Sequence, residues 1–416
     1  MTSVAERVGG SETKSFVMIV GLALVLRAVW IALIEVNPVS DSQAYDIFAR
    51  NMALHGVYGF KPDEPGAYWA VGAPAIYAAS YILFGINNFA VVLVNMISTV
   101  LILWLTYLVG KRYFDGTTAL LATLIFALWP VTIQFTTAIA SELHFMAAMM
   151  AGLLFWDKAR LGQNFILNTV ICGVLFAAAT YIRPIAQLFP VVLVILGLIY
   201  RDSPIWALFA KLAIVLVAIF VLIQPWSARN ERVFGVPVSI STNFGPNLWM
   251  GNHPGTEGGY VPLPEWVSGM GEIERSEKLE KVAVDYIKAE PVAFVTRTLR
   301  KAALLHNRET IGVAWNSSEI KRVFGNTGET LMKIVSSLYW FAALGLAIAA
   351  VIYLPWAGNA RYVLAAPPFI LVLYLVAVHA VIVVEDRYHL PQIPLLALLA
   401  AVFLNATLFK SKTASD

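Results

Sequence analysis

Charge is scarce in this chain: Asp, Glu, Lys and Arg together make up 13% of 416 residues, about half the share of an ordinary soluble domain. So few ionic groups exclude a water-exposed globular enzyme and a disordered chain. A hydrophobic content of 59% and a mean hydropathy of +0.72 agree. Cysteine is nearly absent. The single Cys172 sits inside an apolar run, which excludes an intrachain disulfide and a cysteine metal cluster. The net charge of +3 is scattered rather than gathered into a patch, so nucleic acid is not expected as a partner. There is no phosphate-cradling loop, no dinucleotide fingerprint and no internal repeat of the kind found in inverted-repeat transporters. The ten-residue alternation of a transmembrane barrel is missing too.

What the chain does have is apolar runs of about twenty residues, the length that carries a helix across a bilayer. They predict spans near 15–35, 88–110, 117–135, 142–156, 164–182, 185–200, 205–224, 334–355, 362–383 and 390–408. The fold class is therefore an all-α polytopic membrane protein, a bundle of about 10 (10–12) transmembrane helices with amphipathic helices and loops outside it. The apolar stretch from Ser15 to about Ile34 follows Arg7 and Lys14. It is too long for a signal peptide and lacks a small-x-small cleavage site, so it reads as a retained first helix. Trp69 to Phe84, with Gly72 and Pro74 near its start, reads as an interfacial or re-entrant helix or an extra span.

Ten spans put both termini on one side. That side collects Lys14, Arg7, Lys111, Arg112, Lys158, Arg160, Arg201, Arg361, Lys410 and Lys412, and the positive-inside rule makes it the cytoplasm. Two outer segments are too long to be connectors. The chain accordingly divides into 1–224, a transmembrane module with a first outer loop at 36–87, then a long outer region at 225–333, and 334–416, the last helices.

In the first outer loop Pro38 stops the opening helix and Ser40 or Asp41 is placed to cap a new one. Residues 42–55 carry an apolar stripe of Ala44, Ile47, Phe48 and Met52, closed by Gly56, and should lie flat on the membrane. Asp41 would then stand at the water–lipid boundary, either as a mere cap or as a general base whose basicity rises as it loses solvation.

Asp41 with Tyr45, Glu64-Pro-Gly, Gly72-Ala-Pro74, Leu83-Phe-Gly85, Thr136 to Glu142, Ile182-Arg183-Pro184 and Pro225 to Asn230 form an ordered series. Val233-Phe-Gly235, Ser241-Thr-Asn243, Asn247 to Asn252 and Arg387-Tyr388-His-Leu-Pro391 continue it. In this order they resemble bacterial family 39 glycosyltransferases of the GT-C superfamily, which includes the protein O-mannosyltransferases and the lipid A aminoarabinose transferase. The resemblance implies inverting transfer of a sugar from a polyprenyl-phosphate carrier to an acceptor hydroxyl of a lipid, glycan or protein. It implies a bacterial inner membrane and an extracytoplasmic site. Many members carry an Asp-Glu pair where this chain has Asp41-Ser42, so a second carboxylate must come from elsewhere or be absent, and metal dependence stays open with it.

Such chemistry requires a base, cations for the departing phosphate and a groove for the lipid tail, but no cofactor. Arg183, Arg229 and Arg387 fall at the outer level of Asp41 and suit the phosphate, although an arginine at a helix end can also simply snorkel. Tyr45, Glu142 and the amides of Asn243, Asn247 and Asn252 suit a sugar and acceptor pocket. Asp41, Glu142 and His144 could together hold one divalent ion. Arg27, deep in the first span, should pair inside the bundle, and Lys301 could reach a phosphate. A polysaccharide polymerase or ligase, and a lipid-linked-sugar flippase, are the alternatives.

Overall fold

The computed structural model describes residues 2–160, 164–201, 203–354 and 366–409. Arg361, Lys410 and Lys412, used above for orientation, and the start of the span predicted at 362–383 lie outside them. No strand occurs among the described residues. The chain opens with α1 (Thr2–Leu33), α2 (Asp41–His55), α3 (Gly72–Phe84), α4 (Asn88–Tyr113), α5 (Gly116–Leu128) and α6 (Pro130–Gln134). Then come α7 (Glu142–Arg160), α8 (Phe165–Ile182), α9 (Phe189–Tyr200) and α10 (Ile205–Phe234). The outer region supplies α11 (Phe244–Asn252), α12 (Glu272–Ala289), α13 (Pro291–Leu304) and α14 (Ile311–Trp315). The chain ends with α15 (Ser317–Leu354), α16 (Pro367–Val381) and α17 (Ile393–Leu404).

Among the described residues six helices are long and apolar enough to cross a membrane, or seven when Gly116–Leu128 and Pro130–Thr137, bent by 58°, count as one span. Pro130 supplies that bend, because it has no N–H for the preceding turn. The other expected crossings are α7, which keeps its charges at its two ends, and two shorter apolar helices, Pro184–Tyr200 and Pro367–Val381. Segment 69–84 forms a helix of only 13 residues, about 20 Å at 1.5 Å per residue.

Two boundaries differ from the expectation. Pro225 does not end α10, which runs on to Phe234 before Gly235 stops it with φ 73°. α15 begins well before residue 334, and its one non-helical residue, Gly325 with φ 68°, marks a break in it. The charged stretch at 272–305 is two helices, α12 and α13, separated at Glu290–Pro291.

α17 is the central pillar. Its residues from Ile393 to Ala401 are all buried, as a helix that is apolar all round should be. Trp129, Phe126, Phe135, Phe145, Phe176, Phe189 and Trp340 fill the space around it. Peripheral helices instead turn Leu83, Trp104, Ile166, Trp206 and Phe220 outward, a surface suited to lipid and not to water. Arg27, fully buried in α1, donates to the carbonyls of Ala23 and Ala127 and to Thr132 Oγ1 at 2.8–3.2 Å, so it pairs inside the bundle. One end of the bundle is tied by Asp157 with Arg112 and Arg160, and by Glu12 with Lys111. The opposite end carries the cluster described next.

Candidate active site

Asp41 opens α2. The residue before it, Ser40, takes the N-cap position with φ 53° and ψ −132°, but its side chain makes no capping bond. A serine at positive φ stores backbone strain of about 1–3 kcal/mol, a state that persists only where the surroundings enforce it. The expected serine cap is therefore absent, and α2 is fixed from its sides. Tyr45, Phe48 and Ala49 are buried, Tyr45 meets the edge of Trp69 at 6.2 Å, and Ser42 Oγ accepts from Ile139 N at 3.2 Å.

That last bond joins α2 to the loop ahead of α7. Asn95 donates to the carbonyls of Phe135, Thr136 and Ala138 at 2.9–3.3 Å. Tyr77 donates to Asn95 Oδ1 at 2.8 Å, and its oxygen accepts from Ala140 N at 3.0 Å. The loop so held delivers Ser141 and the fully buried Glu142. Arg183 leaves α8 with extended backbone (φ −145°, ψ 114°), the conformation that the following Pro184 favours. Its Nε donates to Ser141 Oγ at 3.0 Å and its Nη2 to Glu142 Oε1.

Arg387 comes from the 3₁₀ turn Asp386–Gln392 at the head of α17. Its Nη2 donates to Asp41 Oδ2, and its Nη1 lies 3.9 Å from Glu142 Oε1 with no hydrogen-bond partner among the described residues. The guanidinium packs on the rings of Trp315 and Tyr388 at 5.3 and 5.2 Å. Asp41, Arg387, Glu142 and Arg183 thus form one row of alternating charge, drawn from four separate parts of the chain. Asp41 is the open end, with 28% of its side chain exposed against 9% for Arg387 and none for Glu142.

Tyr45 lies within the field of all four. Burial pushes its hydroxyl up to about 12, with Arg387 opposing and Asp41 reinforcing the shift. Tyr68, raised to about 12 by burial, and Glu385, raised by burial, also feel the Asp41 charge.

The other expected site residues have different partners. Arg229 donates to the carbonyls of Gly66 and Tyr58 at 2.7 and 3.2 Å and lies over Trp226, which ties the first outer loop to the end of α10. Asn243 Oδ1 accepts from Ser241 Oγ, and Asn247 lies in the first turn of α11. Asn252 is fully buried; its amide donates to Leu248, Val381 and Ile382 carbonyls. Lys301 is buried too, donating to Gly251, Val381 and Ile382 carbonyls and to Asn252 Oδ1 at 3.0–3.3 Å. Burial, then Arg297, pushes its ammonium down to about 7. Asn252 and Lys301 thus join α11 and α13 to the end of α16 through main-chain carbonyls.

The metal triad is not assembled either. His144 shares a 2.7 Å hydrogen bond with Ser98 Oγ and meets Tyr77 edge-on, while Asp41 and Glu142 both face guanidinium groups. Among the described residues no group of three or more His, Cys, Asp or Glu is disposed to hold a metal ion. Ser141, Trp315 and Tyr388 are the contacts that motif reading missed as site residues. Trp315 carries no local signal, since only the fold brings it to Arg387.

Residues 66–228 match the family model of dolichyl-phosphate-mannose-protein mannosyltransferase. The match includes Glu142 and Arg183 and stops short of Asp41, Arg229 and Arg387. No curated protein sequence matches the chain. Among solved structures it is similar to the oligosaccharyltransferase AglB from Archaeoglobus fulgidus in complex with an inhibitory peptide and a dolichol-phosphate. The TM-score is 0.58 at 13% identity, covering 97% of this chain and 52% of that one. The Archaeoglobus fulgidus enzyme with Zn and sulfate gives 0.58 at 12%, covering 96% and 50%. ArnT from Cupriavidus metallidurans bound to undecaprenyl phosphate gives 0.47 at 17%, covering 96% and 77%. The chain spans about half the length of the archaeal proteins it resembles. It has the fold of the GT-C glycosyltransferases, and its segment 66–228 matches the dolichyl-phosphate-mannose-protein mannosyltransferase family.

Proposed function

We propose that this chain is an integral membrane glycosyltransferase that moves a sugar, with inversion, from a polyprenyl-phosphate carrier to an acceptor hydroxyl. The acceptor is an envelope lipid, a glycan or a protein, and the site faces the extracytoplasmic side. The family match over 66–228 and the GT-C fold support the reaction class. The observation that carries the reading is a carboxylate joined to a buried guanidinium whose second terminal nitrogen has no hydrogen-bond partner among the described residues.

In this reading Asp41, the most open member of the row, accepts the proton of the acceptor hydroxyl. The freed oxygen attacks the anomeric carbon from the face opposite the phosphate. The carbon–oxygen bond to phosphate breaks, and its electron pair leaves on the carrier. Arg387 Nη1, with Arg183 behind Glu142, meets the developing charge, and fixed guanidinium groups in a water-poor site stabilise it strongly. Glu142 holds both arginines at one spacing. Tyr45, protonated throughout, offers a hydrogen bond to a sugar or acceptor oxygen.

The test is transfer from a labelled polyprenyl-phosphate sugar in proteoliposomes. Asp41→Asn keeps the shape of the side chain and loses its basicity. It should incorporate normally and lose transfer by about two to four orders of magnitude, the usual worth of a general base. Wild-type turnover in Asp41→Asn would remove this residue from the chemistry.

A further inference from the structure

A divalent cation is an ordinary device for joining two carboxylates to an anionic substrate. The side chains present here do not fit one, because a cation of the protein's own lies between Asp41 and Glu142. Arg387 Nη2 is on Asp41 Oδ2, and its Nη1 is 3.9 Å from Glu142 Oε1. The same Glu142 oxygen accepts from Arg183, and Ser141 Oγ lies 3.4 Å from the other. Of the two imidazoles nearby, His144 is turned to Ser98 and His379 lies stacked on Tyr388 at 4.7 Å, and among the described residues neither joins Asp41 and Glu142 in a group of three disposed to hold a metal ion.

The guanidinium is also fixed where it stands. Trp315 and Tyr388 pack on it, and the preceding residue, Asp386, accepts from Thr310 N and Oγ1 at 2.9 and 2.7 Å. Two residues further on, His389 Nδ1 bonds Leu305 O at 2.8 Å under Trp340. Swinging Arg387 aside to admit an ion would leave a buried charge unpaired or unravel this turn.

We propose that Arg387 is an internal counter-cation that takes the place of a divalent metal between Asp41 and Glu142 and closes the site to such ions. Two carboxylates and two guanidinium groups sum to zero, so an added divalent ion would bring uncompensated charge into a nearly dry site. A guanidinium stays charged at any physiological pH and reaches two anions from one plane. The consequence for catalysis rests on the glycosyltransferase reading above: transfer should survive chelators. The binding consequence stands apart from it.

Manganese titration of the purified full chain in lipid nanodiscs, followed by electron paramagnetic resonance of free Mn²⁺, tests the proposal without any sugar. Wild type and Arg387→Lys should show no saturable site below about 1 mM, the weak end of protein sites for such ions. Arg387→Ala leaves the two carboxylates facing a gap and should gain one site per chain. Adding Asp41→Asn to it should weaken that site about tenfold or more. Thermal unfolding should report the same contrast, with Mn²⁺ raising the midpoint of Arg387→Ala alone. A saturable wild-type site abolished by Asp41→Asn would overturn the proposal, as would a folded Arg387→Ala chain that gains no Mn²⁺. Should Arg387→Ala fail to fold, wild type and Arg387→Lys still decide. A protein inactive in sugar transfer would give the same metal readout, so the two readings fail separately.

Discussion

Glu142 has no exposed surface, and its charge is tolerable only because Arg183 and Arg387 face it. Removing one partner of a buried ion pair typically costs about 3–5 kcal/mol, because the other charge is left unpaired, while replacing both is often close to neutral. Arg183→Met should therefore lower the thermal midpoint well below wild type. Arg183→Met with Glu142→Gln should recover most of the loss, yet neither protein should transfer sugar. Unfolding of detergent-solubilised protein alongside a turnover assay separates the two effects, and a single variant as stable as wild type would mean that Arg183 is not the group that compensates Glu142. Which residues meet in the row was partly legible in the sequence. Asp41, Glu142, Arg183 and Arg387 each stand at the edge of an apolar run, and three of the four have a proline within three or four residues. Arg229, Asn252 and Lys301 have the same chemistry and similar settings, but their donors are taken by backbone carbonyls. Residue type alone cannot separate a donor aimed at a ligand from one that satisfies the main chain.

The element that aims Arg387 is the turn 386–392, and what holds it is a buried polar joint with segment 305–310. Thr310 grips Asp386, His306 Nε2 and Gln392 Oε1 share a bond at 3.0 Å, and His389 lies 4.0 Å from the Trp340 ring. Glu309, fully buried, accepts from Trp129 Nε1 and sits 3.5 Å from His389 Nε2. Burial, only partly offset by the Trp129 bond, raises the Glu309 carboxyl well above its ordinary 4.5 and so favours its protonated form. The unfolded chain gives up that proton above 4.5 while the folded one keeps it. Stability from this group is thus complete below 4.5 and is lost as pH rises toward the folded value, by about 1.4 kcal/mol per pH unit. Glu309→Gln keeps an acceptor for Trp129 and has no proton to lose. Its thermal midpoint should fall less between pH 5 and pH 8 than that of wild type; parallel curves would mean that Glu309 is ionised in the fold. The sequence offered no hint of this joint. Helix positions follow from apolar runs, which are local, but a Trp–Glu–His contact drawn from residues 129, 309 and 389 exists only after the bundle has formed.

At the scale of the whole molecule, the charged row sits at one end of the bundle, while the carrier it is proposed to hold has a long apolar tail. An apolar groove of about 420 Å³ runs between α8 and α10, lined by Val170, Ala213, Ile214, Val217, Ala218 and Val221. Gly173 makes the pair of helices close here, since a side chain at that position would come within 2.6 Å of Ala218. Val170 lies on α8, 13 residues before Arg183, which caps the end of that helix, so the two are about 20 Å apart along its axis. A carrier with its phosphate at Arg183 reaches the groove only if its tail extends that far. Ala213, exposed on the groove wall, can be changed to Trp without entering the packed core. Ala213→Trp should then raise KM several-fold for a long polyprenyl-phosphate donor and leave kcat nearly unchanged, because tail contacts are made equally in ground and transition states. A short-chain donor, which ends before the groove, should show wild-type KM with the same variant. If both donors respond alike, or neither does, the groove belongs to the surrounding bilayer and the tail takes another path from the row of charges into the membrane.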